Sequence, residues 1–288
     1  KLGQGSPLLR GRTTNATFSG GGSLNVDNMA GTIDVGFRND DQNETGNYAT
    51  LDLRGLGSFT ANVDQLRVGY GSRIGSTLYL SDTDNTITAN AIHVSNSLAV
   101  NAYAGLLVLG TGGNTIHADT INIGLGKGAG TARFALQAAG SAGTLVIADM
   151  AGTGGADIAI ADNNGAWTGA HVTGTLDLRG HQVDVTAGTV LVGRRNANTD
   201  GGNATGTIWL DQGSFVADSL LLGVKSGTGT GTAAGIVNML GGTFTVGAIT
   251  LGSHSDTYGN AQGTFNLQGG TLVADAIAKG DGFGNAAG

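Results

Sequence analysis

The fold is decided by three stretches that align with one another: GTIWLDQGSFVADSLLLG (206–223), GIVNMLGGTFTVGAITLG (235–252) and GTFNLQGGTLVADAIAKG (263–280). The apolar residues of the first stretch fall into three pairs: Ile208 and Leu210, Phe215 and Ala217, Leu220 and Leu222. One residue separates the members of each pair, which is the period of a β-strand with one buried face. Each stretch is therefore predicted to form three short strands joined by turns.

The same columns recur upstream, as at Leu107, Leu109, Ile116, Ala118, Ile121 and Ile123. The period of roughly 25 to 33 residues is typical of repeat proteins, in which one repeat cannot bury its apolar stripe alone and must stack on its neighbours. The sequence therefore predicts an all-β fold, a single-stranded parallel β-solenoid of about ten coils of three short strands. We expect a right-handed β-helix, because parallel crossovers are nearly always right-handed.

The composition agrees with a stack of strands and excludes several other classes. Glycine supplies 54 of the 288 residues and proline only one, so neither collagen nor a proline-rich disordered chain fits. Cysteine is absent, which excludes a disulfide framework and thiolate metal sites. The formal net charge of −7 argues against a nucleic-acid partner. No apolar run is long enough to predict a membrane-spanning segment.

The repeats divide the chain into two parts. Residues 1–13 carry no repeat and are predicted to be an irregular N-terminal segment or a partial cap. Residues 14–288 are predicted to be solenoid, with irregular coils at 132–170 that the sequence does not phase. The last residues, Gly-Asn-Ala-Ala-Gly at 284–288, repeat the closure of earlier loops, so we expect a longer protein cut at a coil boundary.

Two further features recur between the strands. A bend before the third strand is marked by small polar residues: Asn62, Asn90, Asp119, Asp218 and Asp275. Asn and Asp favour such corners, so this column predicts a turn ladder; the alternative, a line of metal-binding carboxylates, is interrupted by Asn, Gly247 and Thr186. Longer loops follow the third strand and run from Gly to Gly-Asn-Ala, as at 193–204 and 252–261.

No catalytic, cofactor-binding or metal-ligating residue is predicted, and an enzyme is not expected. Asp40-Asp41 and Asn198-Thr199-Asp200 resemble fragments of a polygalacturonase-like site, but the other elements of that site are missing. The loop 39–44, with Asp40, Asp41 and Glu44, is predicted to be solvated, with a loosely bound Ca²⁺ as the alternative.

The basic residues give no site either. The histidines share neither a column nor metal-ligand spacing, and each is predicted at the surface or in a turn: His93, His117, His171, His181 and His254. The pair Arg194-Arg195 is predicted to lie in a solvated loop.

The repeats resemble the autotransporter-associated β-strand repeat and related passenger segments of large bacterial surface proteins. The resemblance rests on GTFNLQGGTLVAD (263–275), GGTFTVGAITLG (241–252) and GSFVADSLLLG (213–223). It implies an exported, extracellular or cell-surface structural segment. Our main hypothesis is a structural stalk or fibre, and we expect it to assemble end to end with copies of itself, because a stack cut between coils exposes unpaired strand groups and an apolar cross-section. The alternative is an adhesin passenger that binds a glycan or a cell-surface receptor through its stacked loops.

Overall fold

A computed structural model describes residues 13–38, 47–71, 74–97, 104–134, 143–164, 171–198, 200–255, 257–280 and 285–287. All of the regular structure in these residues is β. In chain order the strands are β1 (Thr13–Ser19), β2 (Ser23–Arg38), β3 (Asn47–Gly55), β4 (Ser58–Gly71), β5 (Ile74–Tyr79), β6 (Asp84–Ser97), β7 (Ala104–Leu109), β8 (Gly113–Gly126), β9 (Ala129–Phe134), β10 (Thr144–Ala148), β11 (Ala156–Asn164), β12 (Val172–Asp177), β13 (Gln182–Asn196), β14 (Ala204–Leu210), β15 (Gly213–Ser226), β16 (Thr232–Met239), β17 (Thr243–His254), β18 (Asn260–Leu267), β19 (Thr271–Lys279) and β20 (Asn285–Ala287).

The strands form two ten-stranded parallel sheets. The first sheet has the order β1-β3-β5-β7-β9-β12-β14-β16-β18-β20, and the second has β2-β4-β6-β8-β10-β13-β15-β17-β19, with β11 paired to β8 and β13. The chain alternates between the sheets, so each turn stacks on the one before it. This arrangement confirms the predicted all-β parallel solenoid.

The predicted ten coils of three short strands each are not confirmed. The second and third predicted strands run together as one element, as in β15. From β4 onward, pairing within the second sheet skips one residue in the middle of each long strand, at Asp64, Asn90, Asp119, Gly188, Asp218, Gly247 and Asp275, whereas β2 skips three residues between Asn28 and Thr32. The prediction for Asn62 is wrong by two residues, because Val63 adds a buried position and Asp64 takes the bend.

The core lies between the two sheets. Along β15 the buried residues Phe215, Ala217, Leu220 and Leu222 alternate with more exposed ones, and Val216 is 38% exposed. Like residues stack along the axis: the Phe215 and Phe244 rings lie 4.6 Å apart and nearly parallel. Each fully buried side chain of this size contributes roughly 1.5–3 kcal/mol to folding.

Each turn closes at a narrow corner. One residue per turn of the second sheet takes a left-handed backbone conformation, with φ between 57° and 75°: Gly36, Gly69, Ser95, Gly124, Ala161, Gly193, Gly223 and Gly252. A Cβ on Gly223 would overlap the carbonyl oxygen of Gln262 in the first sheet. Glycine is needed here because the two sheets touch backbone to backbone. We call this column the corner column.

Within 132–170, the stretch without a clear repeat, the described residues continue both sheets. β9 pairs with β7 and β12 in the first sheet. β10 and β11 together occupy the place of one long strand between β8 and β13. Residues 149–155 leave the sheet between them, and the backbone NH of Met150 donates to Asp119 of the preceding turn. An excursion in the middle of a strand therefore explains why the repeat is hard to phase here.

Candidate functional site

The outer side of the second sheet changes in character from turn to turn. The column that faces away from the core, one residue before the buried column, reads Asp34, Arg67, His93, Asn122, Ala159, Leu191, Leu221, Thr250 and Ala278. Its first four members are charged or carry an imidazole or amide group, whereas Thr250 is the one polar residue among the five that follow. We call these four, together with Phe37 and Tyr70 beside them, the outer polar strip.

The strip begins with a largely buried ion pair. Asp34 is buried, and its Oδ1 accepts from Nε of Arg67 at 2.5 Å. The guanidinium group lies 4.7 Å from the ring centre of Phe37 and 4.4 Å from that of Tyr70. The other carboxylate oxygen of Asp34 has no hydrogen-bond partner among the described residues. Two aromatic rings therefore hold the arginine in place over its carboxylate.

His93 continues the strip in the next turn. Its ring meets Tyr70 edge to face at 5.5 Å, and its Nδ1 lies 3.4 Å from Nδ2 of Asn122. Burial, helped by the nearby charge of Arg67, lowers the pKa of His93 to about 4. The imidazole is therefore neutral at pH 7, which suits a hydrogen-bond acceptor better than a proton donor.

Beyond Asn122 the outer face opens into a groove of about 410 Å³. The small side chain of Ala159 forms its floor, between larger neighbours in the preceding and following turns. The remaining lining residues are Thr120, Asn122, Leu125, Asp157, Ile158, Asp162, Thr189, Leu191 and Arg194. We call this the Ala159 groove.

A second group of polar residues lies inside the loops, beyond the corner column. Arg195, Lys225 and His254 stack in register in consecutive turns, and all three are fully buried. Arg195 and Lys225 each donate to a backbone carbonyl of their own loop, that of Gly201 and that of Gly227, and the ring Nε2 of His254 lies 3.1 Å from the carbonyl oxygen of Gly259. Burial lowers the pKa of Arg195.

The glycine in the loop closure packs against both backbone and these basic residues. A Cβ at Gly231 would overlap the carbonyl oxygen of Gly202 and would lie 2.9 Å from Nε of Arg195. One at Gly259 would overlap the carbonyl oxygen of Gly231 and would lie 2.7 Å from Cε of Lys225. The backbone of the preceding turn therefore excludes a side chain first, and the basic residue adds a second contact. We call Arg195, Lys225 and His254 the loop-centre residues.

The sequence predictions for the Arg194-Arg195 pair and for His254 need correction. Arg194 is at the surface, in a two-bond ion pair with Asp162 at 2.6 Å for each bond, whereas Arg195 points into the loop and is buried. His254 is fully buried at the end of β17 rather than at the surface or in a turn, whereas His181, also fully buried, lies in the turn between β12 and β13. The buried side chains form hydrogen bonds with backbone groups or fill space in a turn, and residue type alone does not reveal either role.

The fragments that resembled a catalytic site have structural partners. Asn198 Oδ1 accepts from the backbone NH of Thr228 at 3.1 Å, and Asp200 Oδ1 accepts from that of Thr230 at 3.0 Å. They link consecutive loops. Asp40, Asp41, Glu44 and Thr199 lie outside the described residues. Within the part of the chain that the structure covers, no three His, Cys, Asp or Glu side chains gather as a metal site.

One repeated motif escaped the sequence reasoning. TLDLRG occurs at 50–55 and again at 175–180. In the first copy Nη2 of Arg54 donates to Asp52 at 2.6 Å, and the guanidinium group lies 4.4 Å from the ring centre of Tyr79 in the next turn. The hydrogen bond from Arg54 lowers the pKa of Asp52. The second copy repeats these contacts with Asp177, Arg179 and Trp209.

Comparison with known proteins identifies no relative. No protein-family model matches the chain, and no curated protein or solved structure is detectably similar to it. Among the residues that the structure describes, no helix is long and apolar enough to cross a lipid bilayer.

Proposed function

We propose that this chain is a structural, stalk- or fibre-forming segment of a secreted or cell-surface bacterial protein, without catalytic activity. The observation that carries the proposal is the continuous parallel stack, in which strands of every described turn pair with strands of the neighbouring turns in both sheets. Such a stack gives reach and stiffness, because its backbone hydrogen bonds run along the long axis. The resemblance of the repeats to autotransporter passenger segments supports the cellular location.

End-to-end assembly is the second part of the proposal. Ile277 in β19 is 61% exposed, although its register partner Ile249 is buried. At the other end, Leu24 and Val26 of β2 are only partly buried, whereas Phe59 and Ala61 beside them are fully covered. Among the described residues, each end of the second sheet therefore offers strand groups without a paired neighbour and partly exposed apolar side chains to a second copy.

Light scattering over a concentration series tests this assembly with paired variants. Ile277→Lys places a charge on the inner side of the edge strand, whereas Ala278→Lys places one on the outer side of the same strand. We expect Ile277→Lys to reduce association and Ala278→Lys to leave it unchanged. Lys279→Leu should strengthen association, because Lys279 pairs with Leu251 and brings an inward charge to the edge.

Two outcomes would reject assembly through the ends. One is strictly monomeric behaviour of both the original chain and Lys279→Leu at high micromolar concentration. The other is equal loss of association in Ile277→Lys and Ala278→Lys. Electron micrographs of the assembled material should show rods that lengthen by whole molecules.

An adhesin passenger is the second candidate. It is favoured by the ladder of loop contacts from Asn198 and Asp200 and by the 58% exposure of Tyr258 in the last described loop. Stacked loops with an exposed aromatic ring can hold a glycan or a cell-surface receptor. Binding to host cells or to a glycan array should then fall in Tyr258→Ala but not in Tyr48→Ala, which removes an exposed ring from the first sheet.

A further inference from the structure

The Ala159 groove lies where the regular pattern is interrupted. Residues 149–155 leave the second sheet just before the groove, between β10 and β11. Their first residues are tied to the preceding turn through Asp119, next to Thr120 of the groove lining. In repeat proteins, insertions within single repeats often gather on the face that binds a ligand. The Ala159 groove and the segment 149–155 both differ from the regular repeat, and they lie next to each other in the same part of the second sheet.

The floor of the groove is apolar and shallow. Ala159 occupies the column position that holds Leu191 and Leu221 in the next two turns. Its methyl group leaves a depression bordered by Leu125 and Leu191. A flat apolar floor of this kind suits the C–H face of a sugar ring.

The rim of the groove has hydrogen-bonding groups with capacity to spare. The Oδ1 atom of Asp157 accepts a hydrogen bond from the backbone NH of Thr189 at 2.8 Å. The side chain of Asp157 is exposed, so its Oδ2 atom can accept from a ligand. The hydroxyl groups of Thr120 and Thr189 and the amide of Asn122 also line the space. Carboxylate, amide and hydroxyl groups together match the donors and acceptors of neighbouring sugar hydroxyls.

The charges of the groove select against anions. Arg194 is neutralised by Asp162, which accepts two hydrogen bonds of 2.6 Å from its guanidinium group. The remaining charge, that of Asp157, is negative. A phosphate, sulfate or uronate would therefore meet a carboxylate without an unpaired cation to offset it.

We propose that the Ala159 groove binds a neutral saccharide, with one ring on Ala159 and its hydroxyls on Asp157 and Asn122. This site lies on the sheet face rather than in the stacked loops. The proposal is independent of end-to-end assembly, because a stalk needs no ligand on its side.

The test uses the full 288-residue chain on an array of neutral and acidic glycans, followed by calorimetry with the neutral glycan that gives the strongest signal. Ala159→Leu fills the groove with the side chain that the next two turns already carry, so the fold should persist. Ala278→Leu makes the same change in the same column outside the groove. We expect Ala159→Leu to weaken binding at least tenfold, Asp157→Asn to weaken it severalfold, and Ala278→Leu to leave it unchanged.

Three results would overturn the proposal. These are the absence of any neutral glycan that binds the chain, binding that survives in Ala159→Leu, and acidic glycans that bind as tightly as neutral ones. Binding that is lost in Tyr258→Ala but kept in Ala159→Leu would assign the glycan to the loops instead. Unfolding by urea, measured for each variant, confirms that a loss of binding is not a loss of fold.

Discussion

Two neighbouring columns of the second sheet, one residue apart along every strand, obey different rules. The inner column is apolar from β2 to β17 and ends with Lys279 in the edge strand β19; its apolar members are Val35, Val68, Val94, Ile123, Ile160, Val192, Leu222 and Leu251. The outer column runs from Asp34 through Arg67, His93 and Ala159 to Leu221 and Thr250. The inner space repeats from turn to turn and so demands the same kind of side chain, whereas the outer surface is free to vary. The inner column therefore specifies the fold. Residues that could bind a ligand can lie in the outer column, where the side chain changes from turn to turn.

The largest expected effect is the difference in stability between a charge on the inner face of β15 and a charge on its outer face. Leu222→Asp would bury a carboxylate in an apolar stack, which costs several kcal/mol and should prevent folding or lower stability by about 4 kcal/mol or more. Val216→Asp, on the outer side of the same strand, should cost less than about 1 kcal/mol. Urea unfolding of both variants gives the comparison. Similar losses in the two would contradict the assignment of the inner and outer faces.

The corner column gives the next largest effect. Gly223→Ala forces an L-residue into φ 70° and drives its Cβ into the Gln262 carbonyl, so we expect a loss of about 3 kcal/mol. Ala161→Gly, at the same column position, removes a left-handed alanine and should be neutral or stabilising by up to about 1 kcal/mol. In thermal melts, the melting temperature should fall for Gly223→Ala and should stay the same or rise for Ala161→Gly. A matching drop in both would show that the corner does not select glycine.

The inner column could be predicted from the sequence, because alternation of apolar residues reports a buried strand face directly. The bend at Asp64 could not be placed, since Val63 reads equally well as a turn residue until its neighbours fix the register. The Ala159 groove was also beyond sequence reasoning. A small residue in an exposed column becomes a depression only when the strands on both sides are known.

The loop-centre residues carried a signal that could have been used. Each stands two residues after the glycine of the corner column, in Gly-Arg-Arg, Gly-Val-Lys and Gly-Ser-His at 193–195, 223–225 and 252–254. Charge suggested a solvated loop, because most Arg and Lys side chains are exposed. The recurrence of a basic residue at one position in three repeats is better explained by a shared structural role.

A smaller effect tests the outer polar strip through pH. The pKa of His93 is lowered to about 4 in the fold, whereas an unfolded chain has its histidines near 6.5. The contribution of neutral His93 to the free energy of unfolding is fully present above pH 6.5. It is lost as the pH falls towards 4, because the unfolded state takes up the proton first. Between pH 7 and pH 4 we expect a loss of about 2 kcal/mol from this residue.

His93→Asn isolates that contribution from the carboxylates that titrate in the same range. The next turn already carries Asn122 at this position, so the variant should fold. The free energy of unfolding, measured in urea at several pH values, should fall less steeply for the variant than for the original chain. Parallel curves would show that burial and Arg67 do not perturb His93 in solution.

The smallest expected effect concerns metal ions. We expect EDTA to shift the melting temperature by less than about 1 °C, because a chelator lowers it only where the metal it removes binds the folded state. The described residues gather no group of three carboxylates or histidines, and the stack is held by strand pairing and apolar columns. Asp40, Asp41 and Glu44 lie outside the described residues, so they are the place to look if the temperature falls. A fall with EDTA that disappears in an Asp40→Asn/Asp41→Asn variant would assign Ca²⁺ to the segment 39–44. A fall that persists in this variant would place the ion elsewhere and would contradict our expectation that the solenoid folds without metal.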